Sequence, residues 1–179
     1  MTPGEIIEGS ELDRDIEDSA DVVVVGSGAG GAVVAAHLAE AGQSVVVLEE
    51  GPHVPQERYG RMRPSETLRH LWRDGGLTMA MGLGNTPVIN VMMGECVGGS
   101  SVLTGGVCFR TPGAVLREWA ERFGLEELDE ACMEPYFDDV ERSVHVEEVP
   151  EAMRSLSTVM FARGAERCGR PVRPLRRNT

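Results

Sequence analysis

At 179 residues the chain is long enough for one hydrophobic core with an appended region, but short for two complete domains. Its net charge of −12 repels phosphate backbones and anionic membrane surfaces, which argues against nucleic acid as a partner. All 17 basic residues are arginine, so the chain has no amine for Schiff-base chemistry and no lysine for a Walker-type phosphate loop.

The charge is uneven. Residues 1–21 carry eight acids against Arg14, whereas residues 154–177 carry seven arginines against Glu166. Each end reads as a solvated tail, with pairing to other protein as the alternative. The acidic opening lacks the basic and apolar pattern of an export signal. Cys96, Cys108, Cys132 and Cys168 form no Cys-x-x-Cys pair, so reduced thiols and a cytoplasmic location are expected, with no metal set in view.

After an acidic leader over residues 1–20, Val22-Val23-Val24-Val25 reads as a strand buried on both faces. Gly26-Ser27-Gly28-Ala29-Gly30-Gly31 follows at once. Small apolar residues from Ala32 to Ala41 then predict a helix packed closely on a sheet and stopped at Gly42. Val45-Val46-Val47-Leu48 supplies a second strand, completing a βαβ unit.

Residues 52–74 are mixed, with a short helix expected near Thr67–Trp72. Residues 75–109 are glycine-rich with Glu95 the lone acid, and predict a buried or ligand-wrapping segment. Gly75 to Gly94 holds no charge over 20 residues, yet its five glycines and Pro87 make a poor spanning helix, so membrane association is not expected. From Gly113 helical periodicity takes over: Val115, Leu116, Trp119, Ala120 and Phe123 predict one helix ending at Gly124. Leu128 to Val140 predicts another, bent at Pro135, and Met153 to Phe161 a third ending near Gly169.

Gly26-x-Gly28-x-x-Gly31 carries the first chemistry. It follows a strand, opens a helix, and is followed 21 residues after Gly28 by Glu49 at the end of the next strand. In that setting Gly26 makes the turn, Gly28 admits a pyrophosphate, and Gly31 lets helix meet strand. Free backbone N–H groups at the helix start bind the diphosphate without lysine. Glu49 suits ribose hydroxyls and argues against a 2′-phosphate. FAD and NAD both satisfy this motif.

The second motif, Gly98-Gly99-Ser100-Ser101-Val102-Leu103-Thr104 with Arg110 six residues on, lets backbone pass close to a flat ligand and offers N–H and hydroxyl donors. The two motifs in this order resemble the glucose-methanol-choline (GMC) oxidoreductases, whose pattern includes Gly-Gly-Ser-Ser-x-x-Asn and the following arginine. Glu49-Glu50-Gly51, Trp119, Gly124, Pro135-Tyr136-Phe137 and Glu141 echo the same family, over roughly residues 20–179. The segment from Cys96 to Pro112 is more similar to its long-chain alcohol oxidase and bacterial dehydrogenase branches.

The resemblance implies an enzyme that oxidises a small-molecule alcohol by hydride transfer to FAD. It implies cofactor contacts from Gly26, Gly28 and Gly31 to the diphosphate, Glu49 to the adenosine ribose, and Gly98, Gly99, Ser100 and Thr104 to the flavin side. Thr104 replaces the family asparagine. Leu103 stands where some members carry a histidine bonded covalently to flavin, so non-covalent FAD is expected. The general base of the family is a histidine near the C-terminus of the longer protein; His37, His53, His70 and His145 do not match it, and no catalytic residue is assigned.

The expected fold is therefore α/β: a Rossmann-like βαβ unit, a glycine-rich flavin-contacting segment and a helical region, together an incomplete fragment of a larger fold. The expected divisions are 1–20, 21–112 and 113–179. A non-catalytic nucleotide-binding module and an NAD-dependent dehydrogenase domain are the alternatives.

Overall fold

The structure is a computed structural model that describes residues 4–178. The first three residues of the acidic leader, and Thr179 at the end of the helical region, lie outside the described residues. The chain divides into two compact units, Met1–Thr104 and Gly105–Thr179.

In the first unit, residues 5–20 are largely exposed, with one helical turn at Gly9–Glu11. Strand β1 (Val22–Val25), helix α1 (Ala29–Glu40) and strand β2 (Val45–Leu48) form the expected βαβ unit. The strands are parallel, with Val22 opposite Val45 and Val25 opposite Leu48. Helix α1 begins three residues before the expected Ala32, because Gly28 already adopts the N-cap position. The chain then turns at Gly42, whose amide reaches the Ala39 carbonyl.

Burial of β1 on both faces is not what the structure has. Val22 and Val24 are partly covered, Val24 lying against α1, whereas Val23 and Val25 are 54% and 82% exposed. Two strands and one crossover helix cover a single face of a parallel pair, and the described residues place nothing on the other.

Beyond β2, helix α2 (Gln56–Tyr59) and helix α3 (Pro64–Leu71) occupy the mixed segment. The latter starts three residues earlier than expected. Glu66 reaches back to the Arg63 amide at 2.7 Å, and Pro64 stands at the first helical position, where its missing N–H costs nothing. Leu71 and Cys96, 1% and 2% exposed, form the small core of this unit. Backbone pairing seats Cys96 there: the Glu95 amide donates to the Leu71 carbonyl, and the Arg73 amide to the Met93 carbonyl.

The charge-free segment forms a short hairpin of β3 (Met79–Ala80) and β4 (Ile89–Asn90). Leu77, Met79, Met81 and Leu83 are exposed, so this part of the segment is not buried in the first unit. A four-residue helix α4 (Ser100–Leu103) ends the unit.

The second unit contains α5 (Gly113–Phe123), α6 (Glu130–Ser143) and α7 (Leu156–Arg167), close to the three helices that periodicity predicts. Helix α6 runs through Pro135, giving up one backbone hydrogen bond there. Asp129 caps its start by accepting the Cys132 amide at 2.7 Å. Strand β5 (Val146–Glu148) pairs antiparallel with β6 (Arg176–Asn178). The arginine-rich end is therefore not all solvated tail: Arg176 to Asn178 lie between β5 and the backbone of Gly106 to Cys108.

Candidate functional site

Glycine geometry builds the first loop. Gly26 has φ +88°, which carries the chain from β1 into the turn, and its amide donates to the Leu48 carbonyl at 2.7 Å. A Cβ on Gly31 would collide with the Gly26 carbonyl oxygen and come within 3.3 Å of Val24 Cγ1. Helix and strand can meet here only without a side chain. A Cβ on Gly28 or Gly30 would meet nothing within 4 Å.

Helix α1 has no side-chain cap, and its first internal bond runs from the Ala32 amide to the Gly28 carbonyl. The amides of Ala29, Gly30 and Gly31 consequently have no acceptor within the helix, at the positive end of its 12 residues. That is the donor arrangement a diphosphate requires.

Glu49 lies beside this turn. Its Oε2 accepts from the Ser27 amide at 2.8 Å and the Ser27 hydroxyl at 2.7 Å, and its Oε1 accepts from the Gly51 amide at 3.0 Å. Burial pushes its carboxyl upward, but the donors from Ser27 and Gly51 outweigh that and hold it below the usual carboxylate range. An ionised, acceptor-only group suits ribose hydroxyls.

The second loop reaches the first through a series of close backbone approaches. A Cβ on Gly51 would collide with the Glu95–Cys96 peptide. The Val97 amide donates to the Pro52 carbonyl at 3.1 Å, and the Gly98 amide to Ser27 Oγ at 2.9 Å. A Cβ on Gly99, where φ is +60°, would stand 3.0 Å from Gly28 Cα. The structure thus brings Gly26, Gly28, Gly31, Glu49, Gly98 and Gly99 into one locality.

Ser100 is nearby but turned to its own loop, where its Oγ accepts from the Gly94 amide at 2.9 Å. Thr104 Oγ1 donates to the Ser101 carbonyl at 3.2 Å. Ser27, 8% exposed, is the residue that sequence reasoning passed over. Its place between two motif glycines was the available signal. Cys96 supports the loop from below; burial, with Glu49 nearby, pushes its thiol up and keeps it protonated.

Within the second unit, Arg110 grips helix α6. Its Nε and Nη2 donate to the two Glu141 oxygens at 2.9 and 2.6 Å, and Nη2 also to Asp138 at 2.6 Å. Arg176 adds a bond to Glu141 at 2.8 Å. The Arg110 donors pull the Glu141 carboxyl down to about 2, against the opposing effect of burial, with help from Arg176. Two positions that echo the GMC pattern, Arg110 and Glu141, therefore serve as an internal clamp.

The four cysteines form no disulfide. Among the described residues, no helix is long and apolar enough to cross a membrane.

A glycine turn on a βαβ unit, an acid at the second strand end and a second glycine loop laid against the first define a dinucleotide-binding architecture. Comparison with known proteins agrees: residues 20–179 match the GMC oxidoreductase family model, and the chain belongs to that family. It is 40% identical over 159 residues to an uncharacterised GMC-type oxidoreductase of Mycobacterium tuberculosis, covering 89% of this chain and 25% of that protein. It is 30% identical over 158 residues to a long-chain-alcohol oxidase of Arabidopsis thaliana, covering 88% of this chain and 21% of that one.

Among solved structures, pyridoxine 4-oxidase of Mesorbium loti superposes with a TM-score of 0.51 at 22% identity, over 66% of this chain and 24% of that chain. A formate oxidase of Aspergillus oryzae, studied for modification of its FAD, superposes with a TM-score of 0.50 at 26% identity, over 65% and 21%. The chain thus spans about a quarter of the length of the curated relatives it matches.

Proposed function

We propose that the first unit binds FAD non-covalently and forms the cofactor-binding part of a cytoplasmic enzyme that oxidises an alcohol to a carbonyl compound. The observation that carries this reading is the junction of the two glycine loops at Ser27, beside the open amides of α1. In it, Gly26, Gly28 and Gly31 form the diphosphate cradle, Glu49 takes the adenosine ribose, and Gly98, Gly99, Ser100 and Thr104 line the flavin side. The residues present fit the group, because the Gly28 and Gly30 side of the turn is open and a flat ligand can approach backbone there.

FAD, when bound, supplies a two-electron acceptor for the hydride that leaves the alcohol carbon. The chain's own residues bind and orient it. No histidine is assigned as the base for the hydroxyl proton; His37, for instance, is exposed and lies 3.7 Å from Glu40. Support for an alcohol substrate comes from the family and from the long-chain-alcohol oxidase relatives. Support for the cytoplasm comes from the four free thiols.

The test is the absorbance spectrum of the full chain after incubation with FAD and gel filtration: co-eluting flavin is expected, and colourless protein rejects the reading. NAD is the second reading, favoured by the first turn and Glu49 alone. A melting temperature raised by NAD and unmoved by FAD supports it instead.

A further inference from the structure

The two loops are held by one hydroxyl whose bonding directions are unambiguous. A carboxylate only accepts and an amide N–H only donates, so the Ser27 hydroxyl proton points to Glu49 Oε2 and a lone pair receives the Gly98 amide.

We propose that Ser27 is a positioning residue for the nucleotide: it aims the Glu49 carboxylate at the adenosine ribose and ties the flavin-side loop, through Gly98, to that same carboxylate. This inference rests on the FAD reading above.

The bond count supports it. Ser27 gives two donors to Oε2 and Gly51 one to Oε1, which holds the carboxylate in one orientation. Ser27 is buried, so water does not readily take over its role. Removing the hydroxyl takes one of the two donors from Oε2, leaving Glu49 held by the Ser27 and Gly51 amides alone, and leaves the Gly98 amide without its acceptor.

Affinities of the full chain and of Ser27→Ala for FAD, ADP and 2′-deoxy-ADP test this by calorimetry. The intact chain is expected to prefer ADP over 2′-deoxy-ADP by about tenfold, and Ser27→Ala to lose part of that preference. A serine that only held the fold would weaken both nucleotides alike; an unchanged preference overturns the proposal while leaving the FAD reading intact. Failure of the intact chain to bind either FAD or ADP sinks the FAD reading and this proposal with it.

If Ser27→Ala does not fold, hydrogen exchange in the intact chain puts the same question. At equal occupancy, ADP is expected to slow exchange of the Gly98 amide several times more than 2′-deoxy-ADP does. Equal protection by the two overturns the link between ribose recognition and the second loop.

Discussion

The Gly98 amide donates to Ser27 Oγ at 2.9 Å across 71 positions of sequence, so the two glycine motifs of this chain are in direct contact. Preorganisation of that kind lowers the ordering cost of binding a nucleotide. It also makes the glycines at the junction intolerant of side chains, to different degrees.

Gly31 and Gly30 are adjacent in α1 but should respond oppositely to alanine. Gly31→Ala drives a methyl into the Gly26 carbonyl oxygen and is expected to abolish flavin uptake and lower the melting temperature. Gly30→Ala meets open space, and the better helix former should hold or raise stability by up to about 1 kcal/mol. Thermal melts of the two variants decide it; equal losses would show that the turn is not packed as described.

The Arg110–Glu141 clamp predicts an acid-sensitive second unit. Glu141 is held at about 2 against an ordinary value of 4.5, so its ionised form stabilises the fold. That contribution is complete above about pH 4.5 and fades as the pH falls toward 2. Arg110→Gln should therefore melt earlier than the parent at neutral pH, with the gap closing on acidification. A gap constant from pH 7 to pH 3 would refute the clamp's role.

Leu71 is the larger aliphatic side chain of a very small core in the first unit. Leu71→Ala is expected to cost about 2–5 kcal/mol by denaturant titration, the range for truncating an enclosed leucine. A change below about 1 kcal/mol would mean that the unit draws its stability from elsewhere.

Leu103 offers no nucleophile to a flavin ring. FAD bound to this chain should pass entirely into the supernatant when the protein is precipitated with acid. Yellow colour retained in the pellet would reveal a covalent bond and overturn the non-covalent assignment.

The strand, turn, helix and strand from Val22 to Leu48 were legible because each depends on chemistry within a few residues: β-branched runs, glycines where Cβ would collide, and small residues along one helix. The three helices of the second unit were legible for the same reason. Their apolar periodicity is local, and glycines follow two of them closely, at Gly124 and Gly169.

Partner choice was not legible. Nothing near Ser27 indicates that its hydroxyl meets Gly98, nor anything near Arg110 that it meets Glu141 and not one of the many other acids. Likewise Arg176 to Asn178 looked like a charged end, and became a strand only because Val146 to Glu148 and Gly106 to Cys108 offered backbone partners. The valine run at Val22 to Val25 announced a strand, but how much of it is covered depends on what else packs there. Backbone preference is written residue by residue; hydrogen-bond pairing and burial arise only when distant segments close on one another, and that closure is what makes two glycine motifs a single site.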